Sequence, residues 1–111
     1  MRFVTIGYGD EAGYQAADPG VLERAHAQDR RIAEAGHLIG VAGTPVQVRN
    51  DGGQSVVIDP GRYARSDLPI AGFAVIEADS IQAAVALLAD TPCAVAGGVV
   101  EIWPVVTELS G

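Results

Sequence analysis

Apolar and polar residues change their spacing several times along this chain, and each change marks an element. Phe3 to Tyr8 is rich in β-branched and aromatic residues and alternates weakly, which predicts a first strand. Gly9 to Gly20 is polar and glycine-containing and is expected to be a loop. Asp18-Pro19 then opens a helix, with Asp as the cap and Pro at the first helical position. That helix runs to about Ala35, where Gly36 stops it. His37 to Ala42 is a short apolar strand broken by Gly43-Thr44-Pro45. Val46–Arg49 and Gln54–Ile58 flank Asn50-Asp51-Gly52-Gly53, a hairpin signal with glycines where positive φ is wanted. Asp59 to Pro69 is a polar excursion, and Ala71 to Ala78 is an apolar strand. Asp79-Ser80-Ile81-Gln82 resembles a capping box, and Ile81, Ala84, Val85 and Leu88 form the expected inward stripe of a second helix, which Pro92 ends. Val99 to Val105 closes the series as a strand.

The order is βαββαβ with an inserted β-hairpin, the ferredoxin-like α+β arrangement, in one domain over residues 1–111. Two helices cover only one face of such a sheet, yet its strands are apolar on both. In the last strand Val99 and Trp103 lie on one side, Val100 and Ile102 on the other. The uncovered face is expected to be buried against a second copy, as a homodimer.

Composition narrows the function. The 111 residues hold 14 acidic against seven basic side chains, a formal charge of −7, and every basic residue is arginine. Without lysine there is no Schiff base and no Walker-type phosphate lysine. An acidic chain with no basic stripe is not expected to bind nucleic acid. Cys93 is the only cysteine, which excludes an internal disulfide and fits a reducing compartment. Nowhere do about 18 apolar residues run together, and no signal-peptide core precedes Asp10, so no membrane partner is expected and the protein is expected to be cytoplasmic and soluble.

Three carboxylates interrupt apolar segments. On the first helix Leu22, Ala25, Asp29, Ile32 and Ala33 fall on one face at about 100° per residue, with His26 at its margin. His26 and Asp29 are three apart and so close enough to interact. An imidazole beside a shielded carboxylate is a general-base arrangement; the bland alternative is an Asp bonded to an arginine or to backbone donors. Glu77 shares a strand face with Phe73 and Val75, and Glu101 shares one with Val99 and Trp103. A carboxylate among apolar neighbours is a candidate proton donor or base, unless it pairs with Arg62, Arg65 or Arg2. Tyr8, Phe73, Glu77 and Trp103 are candidates for contacting a small molecule, the aromatic ones also for plain core.

Other motifs fall short. Gly7-Tyr8-Gly9-Asp10-Glu11-Ala12-Gly13 misses the dinucleotide spacing by one residue, and its acids would repel a pyrophosphate. Two histidines without metal-type spacing predict no metal, and no cofactor is expected. Cys93 has no helix start or lysine to activate it and is expected to be a packed thiol. Neither Ser55 nor Ser66 lies in a nucleophile elbow.

Four segments in order, Tyr8-Gly9-Asp10-Glu11-Ala12, Ala35-Gly36-His37-Leu38, Ile70-Ala71-Gly72-Phe73-Ala74-Val75-Ile76 and Val100-Glu101-Ile102-Trp103-Pro104-Val105, resemble the YCII-related family and its DGPF-type branch over nearly the whole chain. The resemblance implies a ferredoxin-like protomer that pairs into a dimeric α/β barrel, with a cleft between sheet and helix. It implies a catalytic pair made of a helix histidine, matched by His26 in Glu23-Arg24-Ala25-His26, and an aspartate beside the proline after the second helix, here Asp90 in Asp90-Thr91-Pro92 and displaced by one residue. In the displaced case Asp29 takes that place. The chain departs from the family pattern twice. The Asp-Gly-Pro-Phe signature is reordered as Asp59-Pro60-Gly61-Arg62-Tyr63, and Trp103 stands where the closing strand carries an arginine. Two functions follow as expectations. One is a cofactor-independent enzyme moving protons on a small molecule, an isomerase, lyase or cyclase with His26 as base, Asp29 orienting it and Glu101 or Glu77 as a second acid/base. The other is a non-catalytic ligand-binding or accessory module, in keeping with the frequent association of DGPF-type relatives with alternative sigma factors.

Overall fold

The computed structural model describes residues 1–109; the last two positions of the expected domain, 110 and 111, lie outside the described residues. Four strands, β1 (Arg2–Tyr8), β2 (Leu38–Val41), β5 (Ile70–Glu77) and β6 (Val99–Pro104), form one sheet in the order β2-β5-β1-β6. Every neighbouring pair in it is antiparallel. Helix α2 (Pro19–Glu34) carries the chain from β1 over to β2 with β5 between them, and α3 (Ile81–Leu88) carries it from β5 to β6 with β1 between them. Two interlocked split βαβ units of this kind are the ferredoxin-like α+β fold. The hairpin β3 (Val46–Arg49) and β4 (Val57–Pro60) stands as a separate two-stranded ribbon.

Local chemistry explains the helix ends. Asp18 accepts hydrogen bonds from the Gly20 and Val21 amides at 2.9 and 3.1 Å, and Pro19 follows it. Gly36, at φ 95°, reverses the chain after α2 as only glycine does readily. Ser80 caps α3 by accepting from the Ala83 amide.

Four expectations need correction. The loop after β1 contains a helix, α1 (Glu11–Ala16), because Asp10 caps it through the Gly13 amide at 2.8 Å. The second hairpin strand starts at Val57, later than expected, because Asn50 accepts from the Ser55 amide and closes a wide turn over Gly52 and Gly53. Pro92 does not simply end α3 but opens a further turn of helix, α4 (Pro92–Val95), at whose first position it needs no amide hydrogen. Ile81, Val85 and, on α2, Ala33 are exposed: the short helices meet the sheet along a narrower stripe than their apolar residues span.

That stripe makes the core. Ile32 of α2 and Ala84 and Leu88 of α3 pack on Phe3, Ala74 and Ile76 of the sheet, with Val100 and Ile102 beside them. The opposite sheet face carries Val4, Leu38, Phe73, Val99 and Trp103, all exposed. Val99 and Trp103 thus part from Val100 and Ile102 as the alternation predicts.

Candidate functional site

A cleft of about 480 Å³ lies between the helix-covered face of the sheet and the helices α1, α2 and α4. Its floor is made by the small residues of the central strands, among them Thr5, Gly7, Gly72 and Ala74, and apolar side chains such as Leu22, Ile39 and Leu88 wall it. Helix α2 contributes His26 and Asp29; α1 contributes Tyr14 and α4 contributes Cys93. Small residues on the floor are what leave the space: larger ones would fill it with core.

The two short helices are held there by close backbone contacts. A Cβ on Gly13 would strike the Ala96 carbonyl oxygen, so α1 lies directly against the end of α4. The Gly98 amide donates to the Cys93 carbonyl at 3.0 Å and turns the chain from α4 into β6. Tyr14 and Cys93 then meet, hydroxyl to sulfur, at 3.1 Å. Burial, reinforced by the hydrogen bond to Cys93, pushes the Tyr14 phenol far up, so it stays protonated throughout the neutral range.

Asp29 is half-buried, between Ala25 and Ile32, which are fully buried on the same helix face. Loss of solvent raises its carboxyl above the ordinary range, and the attraction of His26 opposes that rise. No side-chain hydrogen bond joins the two among the described residues; they face one cleft, with the His26 ring exposed at its edge. A carboxyl held above its ordinary value binds more protons in the folded than in the unfolded chain. Its charge therefore opposes folding at neutral pH, and that cost is relieved as the pH falls through its folded value. Asp29→Asn is expected to be more stable than the parent at pH 7, with the gap closing on acidification. Thermal melting of both proteins across the acid range checks this, and a gap that widens toward low pH contradicts it.

The remaining candidates lie elsewhere. Asp90 is exposed between α3 and α4 and does not line the cleft. Glu101 lies on the uncovered sheet face, where it accepts from the Tyr8 hydroxyl at 3.2 Å and from Trp103 Nε1 at 2.8 Å. Burial, and then the charge of Glu101, raises the Tyr8 phenol. Among the described residues no arginine pairs with Glu101; two neutral donors on the same face take that place. Glu77 is not shielded: it is exposed at the strand end, 3.4 Å from Arg2. An exposed pair of this kind contributes about 0–1 kcal/mol. Phe73 is among the residues that border the cleft, but its side chain projects on the uncovered face, with the ring over Gly40, where a Cβ would come within 3.0 Å of it. Cys93 sits in the first turn of α4, contrary to the expectation that no helix begins beside it.

Thr5, Tyr14 and the glycines that admit them went unnoticed in the sequence. A signal existed for Thr5 and for the glycines. Thr5 is a polar residue on the inward face of an apolar strand, and Gly7 and Gly9 bracket Tyr8 where a strand ordinarily carries side chains. A Cβ on Gly7 would lie 2.9 Å from Cys93 Sγ, and one on Gly9 3.0 Å from the Tyr14 hydroxyl.

Among the described residues no three His, Cys, Asp or Glu side chains converge to hold a metal ion, and no helix is long and apolar enough to cross a membrane. A search of curated proteins finds no match. The family model for the YCII-related domain matches residues 1–108, a span that takes in every strand of the sheet and every residue of the cleft; the chain belongs to the YCII-related family.

Proposed function

We infer that this protein is a one-domain, cytoplasmic member of the DGPF-type branch that binds a small molecule in the cleft and moves a proton on it without a cofactor. The observation that supports this reading is Asp29, a carboxyl raised by burial, facing the same solvent-reachable cleft as His26, with no arginine lining that cleft among the described residues. A carboxyl raised above its ordinary value is a stronger base than an exposed one and can return the proton it takes, which is what isomerisation or elimination requires. Asp29 is the base in this reading, since it is the more enclosed of the two, and His26 sets its charge from the cleft edge. Glu77 and Glu101 have no part in it, being exposed at a strand end or turned to the other sheet face. The uncovered apolar face fits a homodimer, with Glu101 already supplied with donors before a second sheet covers it.

Deuterium exchange into a panel of small carbon acids in D₂O, followed by NMR, tests the chemistry. On a compound that the parent protein exchanges, Asp29→Asn is expected to lose about a hundredfold or more and His26→Ala a smaller factor. Full activity in both variants would sink the proposal. A second reading, a ligand-binding or accessory module without catalysis, draws on the missing hydrogen bond between His26 and Asp29 and on the exposure of Asp90. Binding without exchange across the panel would favour it.

A further inference from the structure

One carboxylate sits within the uncovered sheet face and has no part in the chemistry just described. Glu101 of β6 is half-buried and lies opposite Ile6 of β1 in the register, with Val99 and Trp103 to either side and Phe73 beyond Ile6. Its two donors, the Tyr8 hydroxyl and Trp103 Nε1, both bond to Oε1. Among the described residues nothing donates to Oε2, so solvent stabilises that half of the charge. The other charged groups near this face are engaged elsewhere. Arg2 and Glu77 pair at the end of the sheet, Arg2 also reaches Glu108, and His37 accepts from the Glu77 amide. Arg62, in the loop before β5, is close enough to Tyr8 for its charge to oppose the rise of that phenol, but its guanidinium donates to the Ser66 and Leu68 carbonyls.

The homodimer reading above supplies what covers this face, and the inference rests on it. The protein is a two-layer slab of 52 × 34 × 20 Å, and a side of that breadth has room for the about 800 Å² that each partner of a stable dimer buries. In a two-fold pair the second copy brings the same face, so its polar groups are the same hydroxyl, indole and carboxylate, already bonded to one another. No spare donor for Oε2 comes with it, whereas a second carboxylate of like charge does. Water leaves both as the sheets close, and an ionised group left so destabilises the pair. We propose that closing the two sheets takes up protons at Glu101, so that the dimer is weakened at neutral pH and tightened by acid. A protonated Glu101 keeps Oε1 as the acceptor for Tyr8 and Trp103 and turns its other oxygen into a donor for the interface. The dimer then holds more protons than two separate chains, so association strengthens as the pH falls and levels off once the separate chains are protonated too.

Dilution series followed by sedimentation equilibrium and by the emission of Trp103, the only tryptophan, give the dissociation constant at each pH. The parent dimer is expected to tighten about tenfold or more between about pH 7 and pH 5. Glu101→Gln keeps the acceptor and removes the charge. At about pH 7 it is expected to dimerise roughly as tightly as the parent does at about pH 5, with little pH dependence left. Asp90→Asn removes an exposed acid from the same chain of charge −7, so it relieves general repulsion equally, and it is expected to keep the parental slope. Calorimetric dilution of the parent in two buffers of different ionisation heat counts the protons directly and decides the matter if Glu101→Gln does not fold. A dissociation constant that ignores pH, a slope as steep in Glu101→Gln as in the parent, the loss of that slope in Asp90→Asn, or a proton count of zero overturns the linkage and leaves the dimer standing. A parent that is a single chain at every pH overturns both.

Discussion

Replacing Ile32 with alanine is expected to cost about 3 kcal/mol of stability, the middle of the range for emptying a sealed isoleucine site. Ile32 is fully buried and is the residue by which α2 enters the core of Phe3, Ala74, Ile76, Ala84 and Leu88. The helix is otherwise polar over most of its surface, so few other contacts are available to compensate. Asp29 lies three residues before Ile32 and shares its face, so a loosened helix also lets water reach the carboxyl. Urea unfolding at one fixed protein concentration measures the first effect. Carboxyl ¹³C titration measures the second, in which the Asp29 value moves down toward the ordinary range. A loss below about 1 kcal/mol would mean that the site collapses around the gap and that α2 is anchored elsewhere.

A charge at the centre of the uncovered sheet face is expected to convert the proposed dimer to a monomer. Val75 lies between Val4 and Leu38 in the register of the sheet, and the three project on that face beside Phe73 and Trp103. Stable interfaces bury about 800 Å² on each partner, and an arginine at the middle of such a patch is left without a counter-charge when the sheets close. Sedimentation equilibrium of the parent is expected to give twice the 11.4 kDa chain mass, and Val75→Arg the single chain mass. The cleft opens on the other side of the sheet, so the variant should keep its ligand binding. A parent that sediments as one chain at micromolar concentration would remove the dimer.

Much of this was readable along the chain because the signals are local. Asp18-Pro19 and Gly36 bound α2, and Ser80 starts α3, through contacts spanning a few residues. The two faces of β6 follow from alternation alone. The pairing of His26 with Asp29 in one cleft also needs only the helix repeat, since both ride on α2. Where the reading failed, the deciding contact lay far away in sequence. Glu77 reads either as an enclosed acid or as one paired with an arginine; it does pair with Arg2, but at the exposed strand end and not in an enclosed site. Glu101 reads as a proton donor or base, or else as a partner for arginine, yet Tyr8, 93 positions earlier, supplies a donor to it from the neighbouring strand.

What the sequence determined by itself is the βαββαβ order, the caps of the main helices, the two-faced sheet and the carboxylate set among apolar residues on α2. Caps, turns and side-chain periods depend on neighbours a few residues apart, so they can be read in one dimension. What only the tertiary structure decided is which polar groups share a cavity. Tyr14 and Cys93 are 79 positions apart and meet because Gly13 lets α1 lie against the end of α4, and because Gly7 and Gly9 leave room for them. Thr5 became a candidate for the same reason: a polar residue in a strand gains a role only when packing shows whether a partner, water or an open cleft lies opposite it.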